Sequence, residues 1–221
     1  MKTFALILGG GKGLRMGADL PKQFLMLGDK PIIMHVLDAF YRANPLTELI
    51  VVLPPEQQSY WSELCVTHAF TLEHKLATGG ATRFDSVSNG LRLIRETGII
   101  AVHDGVRPLV STQLINRCYQ MAERHGAVVP VCPLVESIRQ VEGSTSKAVD
   151  RSRYVSVQTP QTFRSEILQQ AYNCDYLDVF TDDASVVEAA GFDVVLVEGA
   201  RENLKITTPM DLLLAEQLLK R

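Results

Sequence analysis

Short runs made almost wholly of apolar residues alternate with longer amphipathic stretches along this chain. The runs cover residues 3–8, 48–53, 99–103, 127–131 and 193–197. A strand with no polar face has to be covered on both sides, and a parallel sheet flanked by helices meets that condition. The stretches between carry helical periodicity over residues 32–42, 56–66, 83–96, 112–124, 166–173, 184–190 and 210–220. Start signals agree: Ser111 precedes one helix, and Thr208-Pro209-Met210-Asp211 supplies a capping hydroxyl, a first-turn proline and an acid. The expected class is therefore α/β, a doubly wound and mostly parallel sheet.

At 221 residues, with 46% hydrophobic and 21% charged side chains, the chain can bury a full core, and residues 1–221 read as one domain. Its 22 Lys and Arg against 25 Asp and Glu leave a net charge of −3, which argues against a nucleic-acid polymer as partner. Cys65, Cys118, Cys132 and Cys174 form no C-x-x-C pair and have no histidine at zinc spacing, so buried free thiols are expected. Only five apolar residues, Phe4 to Leu8, precede the first glycines, too few for a secretory core. A soluble, cytoplasmic protein with no membrane partner is the expectation.

One segment breaks the alternation. Residues 135–158 carry two β-leaning limbs about the polar turn Glu142-Gly143-Ser144-Thr145-Ser146-Lys147 and read as a hairpin arm. Two strands alone are marginal in water, so the arm should pack on its own sheet or on a second subunit.

In open α/β sheets ligands bind beyond the carboxyl ends of the strands. After the first run come Gly9-Gly10-Gly11-Lys12-Gly13-Leu14-Arg15-Met16-Gly17 and then Pro21-Lys22-Gln23, a loop whose glycines let amides approach an anion while Lys12, Arg15 and Lys22 add charge. It matches neither G-x-G-x-x-G nor the Walker loop. After the third run stands Asp104-Gly105-Val106-Arg107-Pro108, whose carboxylate suits magnesium or a hydroxyl and whose guanidinium suits a phosphate or the acid itself. His103 reads as a satisfied strand histidine rather than a catalyst. Gly79-Gly80-Ala81-Thr82-Arg83-Phe84-Asp85-Ser86 leads into a helix with Thr82 as its cap, and Lys205 follows the last run. Arg15, Lys22, Arg107 and Lys205 thus share one rim. Such neighbours repel by about 4 kcal/mol at 4 Å and an effective dielectric near 20, so the cluster points to a polyanion such as a nucleoside triphosphate.

These blocks, together with Val149-Asp150-Arg151, Gln158-Thr159-Pro160-Gln161-Thr162-Phe163 and Glu202-Asn203-Leu204-Lys205-Ile206-Thr207, closely resemble the 2-C-methyl-D-erythritol 4-phosphate cytidylyltransferases, in order over nearly the whole chain. The resemblance implies a Rossmann-like nucleotidyltransferase that joins CTP and methylerythritol phosphate into CDP-methylerythritol and pyrophosphate with magnesium, in the non-mevalonate route to isoprenoids. It implies that Arg15 and Lys22 stabilise charge on the α-phosphoryl group. Arg151 and Lys205 would hold the attacking phosphate, helped by Thr159 and by Ser137 beside Glu136. Asp104 would meet sugar hydroxyls or the magnesium shell, with Arg107 on its loop. Gly9, Gly10, Gly11, Gly80, Arg83 and Ser86 would line the substrate site, with cytosine read by backbone near Gly9, Gly10 and Gly80 and by Ser86. The arm would embrace a second subunit and make a homodimer. The chain departs from the usual pattern at Leu8-Gly9-Gly10, at Ala81 and at Ser137. Ribitol 5-phosphate cytidylyltransferases share several blocks, but Asp150-Arg151 favours the methylerythritol reading. A nicotinamide oxidoreductase would need the dinucleotide fingerprint, and Leu53-Pro54-Pro55 stands where its acid should be.

Overall fold

A computed structural model describes residues 1–10 and 20–220. Its strands are β1 (Lys2–Leu8), β2 (Met26–Leu27), β3 (Lys30–Pro31), β4 (Glu48–Leu53), β5 (Lys75–Thr78), β6 (Gly98–Asp104), β7 (Ala127–Pro133), β8 (Arg139–Glu142), β9 (Thr145–Ala148), β10 (Val155–Val157), β11 (Gln161–Arg164) and β12 (Val195–Glu198). The helices are α1 (Ile32–Ala43), α2 (Pro55–Thr67), α3 (Arg83–Leu91), α4 (Thr112–His125), α5 (Ser165–Ala171), α6 (Asp183–Ala189) and α7 (Pro209–Leu219). Eight strands form the main sheet in the path β5-β4-β1-β6-β11-β7-β10, with β12 pairing with β7 as well. All pairings are parallel except those of β10 and β11.

The doubly wound expectation holds, and side-chain alternation explains it. Ala5, Ile7, Leu49, Val51, Ile99 and Ala101 point into one core with α1, α2 and α4. Their neighbours Phe4, Leu6, Ile50, Val52, Ile100 and Val102 point into the other, with α3, α5 and α6. Burying a side chain of this size stabilises by about 1.5–3 kcal/mol, so neither face of β1 tolerates a polar residue. A third, smaller cluster of Leu27, Ile32, Ile206 and Ala215 joins the start of the chain to α7.

Four expectations need correction. Helix α3 stops at Leu91 rather than residue 96, because Leu93 N–H bonds Gly90 O, Ile94 N–H bonds Leu91 O, and that tightening turns Ile94 into the core. The hairpin is confined to β8 and β9, which pair only with each other, while residues 155–157 of the second limb run antiparallel to β7 in the main sheet. Strands β5 and β11 escape the periodicity reading, since β5 buries only Ala77 and β11 buries the polar Gln161 and Thr162. Finally, the cysteines are unpaired, but only Cys118 is buried, and Cys174 is exposed.

Candidate functional site

Strands β5, β4, β1 and β6 end side by side, and the chain leaves β1, β5 and β6 through a backbone bond to the neighbouring strand. Gly9 N–H donates to Val52 O at 2.9 Å, Gly79 N–H to Leu53 O at 2.8 Å, and Gly105 N–H to Leu8 O at 2.8 Å. At Gly105 a Cβ would stand 2.9 Å from that same carbonyl, so no larger residue fits the turn. Beyond these ends lies a cavity of about 350 Å³. Leu8, Gly9, Gly10, Lys22, Gly80, Arg83, Ser86, Asp104 and Lys205 all contribute to its wall, so eight of the site residues inferred from the sequence meet there. Gly11 and Arg15 lie outside the described residues.

Each wall is fixed by its own local chemistry. Lys22 sits in a single 3₁₀ turn, Lys22–Phe24, and is largely buried at the cavity's edge. Next to it the buried Gln23 donates through Nε2 to Gly9 O and, at 2.6 Å, to Gln57 Oε1, which fastens the glycine loop to α2. On the opposite wall, Thr82 and Asp85 form a capping box at the start of α3. Ser86 Oγ accepts from Gly80 N–H at 3.0 Å and donates to Thr82 O at 2.9 Å. A Cβ on Gly80 would fall 2.2 Å from that of Asp85, so the loop and helix can approach this closely only with glycine there. Capping and ligand wall are thus the same residues.

Arg83 begins α3 and donates to both oxygens of Asp183, at 2.7 and 2.5 Å. Asp104 ends β6. Its Oδ2 receives Lys205 Nζ at 3.1 Å and Arg107 Nε at 3.2 Å, and Arg107 Nη1 continues to Asn203 O at 2.8 Å. Burial works to raise the Asp104 carboxyl, but Lys205, Arg83 and Arg107 together hold it well below the usual carboxylate range. Arg107 therefore both pairs with the acid and locks its loop. Lys205 is presented from a strap whose next residue, Ile206, is fully buried and bonds Val106 O at 2.9 Å.

Thr159 stands behind this wall rather than on it. Its Oγ1 accepts from Asp104 N–H at 3.1 Å and meets His103 Nδ1 at 3.0 Å. The other imidazole nitrogen, Nε2, lies 3.2 Å from Arg107 O, a carbonyl that only accepts. Nε2 must therefore carry the proton, and Nδ1 takes the Thr159 hydroxyl proton. His103 is the satisfied strand histidine that was expected, and burial pushes its pKa down to about 4. The unfolded chain takes up this proton from about pH 6.5 downward while the fold resists it, so stability falls as acid is added. Relative to His103→Gln, which keeps a donor for Arg107 O, the wild type should lose about 2 kcal/mol more between pH 7 and pH 5 in urea unfolding.

The sequence motifs contain Gln23 and Gln158 but assign neither a role, and Asp183 stands outside every motif. Gln158 bonds Ala200 at 2.8 Å through Nε2 and Asn203 at 3.3 Å through Oε1, so it ties β10 to the Lys205 strap. Arg151 and Ser137 are exposed on the arm and do not line the cavity; Arg151 donates to Val135 O. Among the described residues no group of three or more His, Cys, Asp or Glu comes together as a metal cage, and no helix is long and apolar enough to cross a membrane.

The family model described as IspD, 2-C-methyl-D-erythritol 4-phosphate cytidylyltransferase, matches residues 3–221. The enzyme of that name from Bacteroides thetaiotaomicron is 53% identical over 219 residues, covering 99% of this chain and 100% of its own. That from Porphyromonas gingivalis is 52% identical over 219 residues, covering 99% and 98%. The crystal structure of the Thermus thermophilus enzyme superposes with a TM-score of 0.79 at 33% identity, covering 100% of both chains. Arg107 pairs with Asp104 without lining the cavity itself, and a chain whose sheet edge gathers Lys22, Arg83, Asp104 and Lys205 on that cavity, and which is so closely matched from end to end, belongs to the 2-C-methyl-D-erythritol 4-phosphate cytidylyltransferase family.

Proposed function

We propose that this chain transfers the cytidylyl group of CTP to 2-C-methyl-D-erythritol 4-phosphate. The observation that carries it is the convergence of Lys22, Arg83 and Lys205 with the Asp104–Arg107 pair about one cavity at the carboxyl edge of the sheet. A phosphate oxygen of the acceptor attacks the α-phosphorus in line. The bond from that phosphorus to the bridging oxygen breaks, and pyrophosphate departs with its electron pair. No enzyme nucleophile is needed, so positioning and charge do the catalysis. Lys22 and Arg15 stabilise the charge gathering on the α-phosphoryl oxygens. Lys205 and Arg151 orient the attacking phosphate, with Ser137 assisting from the arm and Thr159 acting through Asp104. The backbone at Gly9, Gly10 and Gly80, with Ser86, forms the cytosine side.

Magnesium fits the donor set. It is commonly held by one or two carboxylates plus substrate phosphates, and Asp104 offers one carboxylate whose two ion pairs both fall on Oδ2. Bound there, the cation would screen the triphosphate and ease departure of pyrophosphate.

The exposed Arg151 reaches a cavity by arm exchange with a second copy, and the apolar Val141, Tyr154, Val155 and Val157, all exposed, favour such a homodimer. The reaction belongs to isoprenoid synthesis by the non-mevalonate route in the cytoplasm.

Pyrophosphate release tests this with CTP and a panel containing methylerythritol 4-phosphate and ribitol 5-phosphate. Turnover confined to the first acceptor, abolished by a chelator and lost on dilution to monomers, is expected. Preference for ribitol 5-phosphate would overturn the acceptor, and full activity of a dilute monomer would overturn the exchanged arm.

A further inference from the structure

Asp183 is a fully buried acid at the first position of α6, and it does not line the cavity. Both its oxygens are nevertheless committed to a residue that does. Arg83 Nη1 meets Oδ1 at 2.7 Å, Arg83 Nη2 meets Oδ2 at 2.5 Å, and Tyr172 OH adds a third bond to Oδ1 at 2.7 Å. The carboxylate is itself held rigidly. Gln161, in β11, donates to Asp182 Oδ2 at 2.8 Å and accepts Ala184 N–H at 2.9 Å, gripping the residues on either side of Asp183.

Three cations, Arg83, Arg107 and Lys205, thus share two carboxylates, Asp104 and Asp183. Only one partition of these charges leaves a working site. If Arg83 were free, the other carboxylate on its cavity would be Asp104, and a guanidinium there would compete with Lys205 for Oδ2. A fork-to-fork pair with Asp183 fixes both the plane of the guanidinium and its distance from Asp104. It also leaves Arg83 Nε and the outer N–H groups directed away from the bond to Asp183, available to a ligand.

We propose that Asp183, seconded by Tyr172, is a positioning residue for the nucleotide: it holds the Arg83 guanidinium at the cavity wall for CTP and keeps it off Asp104. The role rests on CTP as the nucleotide bound here. Without Asp183 the first turn of α3 would still be capped by Thr82 and Asp85, so the loss would be felt in ligand binding before it was felt in the helix.

The test compares full-length wild type, Asp183→Asn, Arg83→Gln, the double variant and Tyr172→Phe by pyrophosphate release, varying CTP and acceptor separately, beside thermal unfolding. Asp183→Asn should raise the KM for CTP about tenfold while that for the acceptor moves less than about twofold. The double variant should be no worse than Arg83→Gln alone, because one residue acts through the other. Tyr172→Phe, which keeps the charge, should raise the KM for CTP by about threefold, and it carries the test should Asp183→Asn not fold. Wild-type KM for CTP in Tyr172→Phe and Asp183→Asn, or losses that multiply in the double variant, would make the pair a mere staple between α3 and α6 and overturn the proposal. Failure of the wild type to turn over CTP would overturn the reaction itself, and this role with it.

Discussion

Replacing Lys205 with alanine should lower kcat/KM by on the order of 10²–10³ and scarcely move the melting temperature. The ammonium is nearly half exposed, on a strap held by its neighbours rather than by its own side chain: Ile206 is buried, and Asn203 carries the bonds to Thr159 and Arg107. The ion pair with Asp104 is screened at its outer end, and Arg107 still faces that carboxylate when Lys205 is gone, so the loss to folding is small. In the proposed reaction its charge matters most when an acceptor phosphate has to be brought up to the electron-rich triphosphate. Steady-state pyrophosphate release paired with a thermal melt separates the two effects. A variant that melts early and works normally would show the reverse assignment.

Asp104→Asn should fail on both counts. Its carboxylate is almost wholly enclosed and anchors two cations through a single oxygen, so the neutral amide leaves Arg107 and Lys205 facing each other without a counter-charge. Removing one member of a buried pair costs about 3–5 kcal/mol, which in a chain of this size is a fall in Tm on the order of 10 °C. Activity should drop by on the order of 10² even at 10 °C, where the variant remains folded, because Lys205 loses the contact that aims it. The pH dependence has a definite sign. The folded carboxyl binds its proton more weakly than the unfolded one, so the stability it confers is present above the ordinary carboxylate pKa and is lost as the pH falls below about 4. The gap in stability between wild type and Asp104→Asn should narrow over that acid range, and a gap that stayed constant would remove the electrostatic account.

Much of this was legible in the letters, for reasons that particular residues make plain. Strands β1, β4 and β6 announce themselves because both of their faces are buried, and the loops after them hold the glycines and cations that a strand-end site requires. Strand β11 does not, because its buried Gln161 and Thr162 face bonding partners rather than apolar neighbours, and polarity in a sequence ordinarily signals water. Lys22, Asp104 and Lys205 could be proposed one by one from their loops. The Asp104–Arg107 pair, three positions apart on one turn, could be proposed as well; that Lys205 joins it could not be, since residues 104 and 205 meet only through tertiary packing. Asp183 is the extreme case: its partner lies 100 positions away, and its own surroundings, Thr181-Asp182-Asp183-Ala184-Ser185, look like any capped helix start. Solvent exclusion, the property that gives it meaning, has no local signature.

The small cluster of Leu27, Ile32, Ile206 and Ala215 has a bearing on how the enzyme comes into being. It fastens the segment just after Lys22 to the segment around Lys205, which is translated long after it. A nascent polypeptide emerging from the ribosome can lay down β1, β4 and β6 well before the strap and α7 exist, yet the acceptor clamp proposed for Lys205 waits for them. Competence to turn over nucleotide is thereby withheld until the strap and α7 have been made and docked.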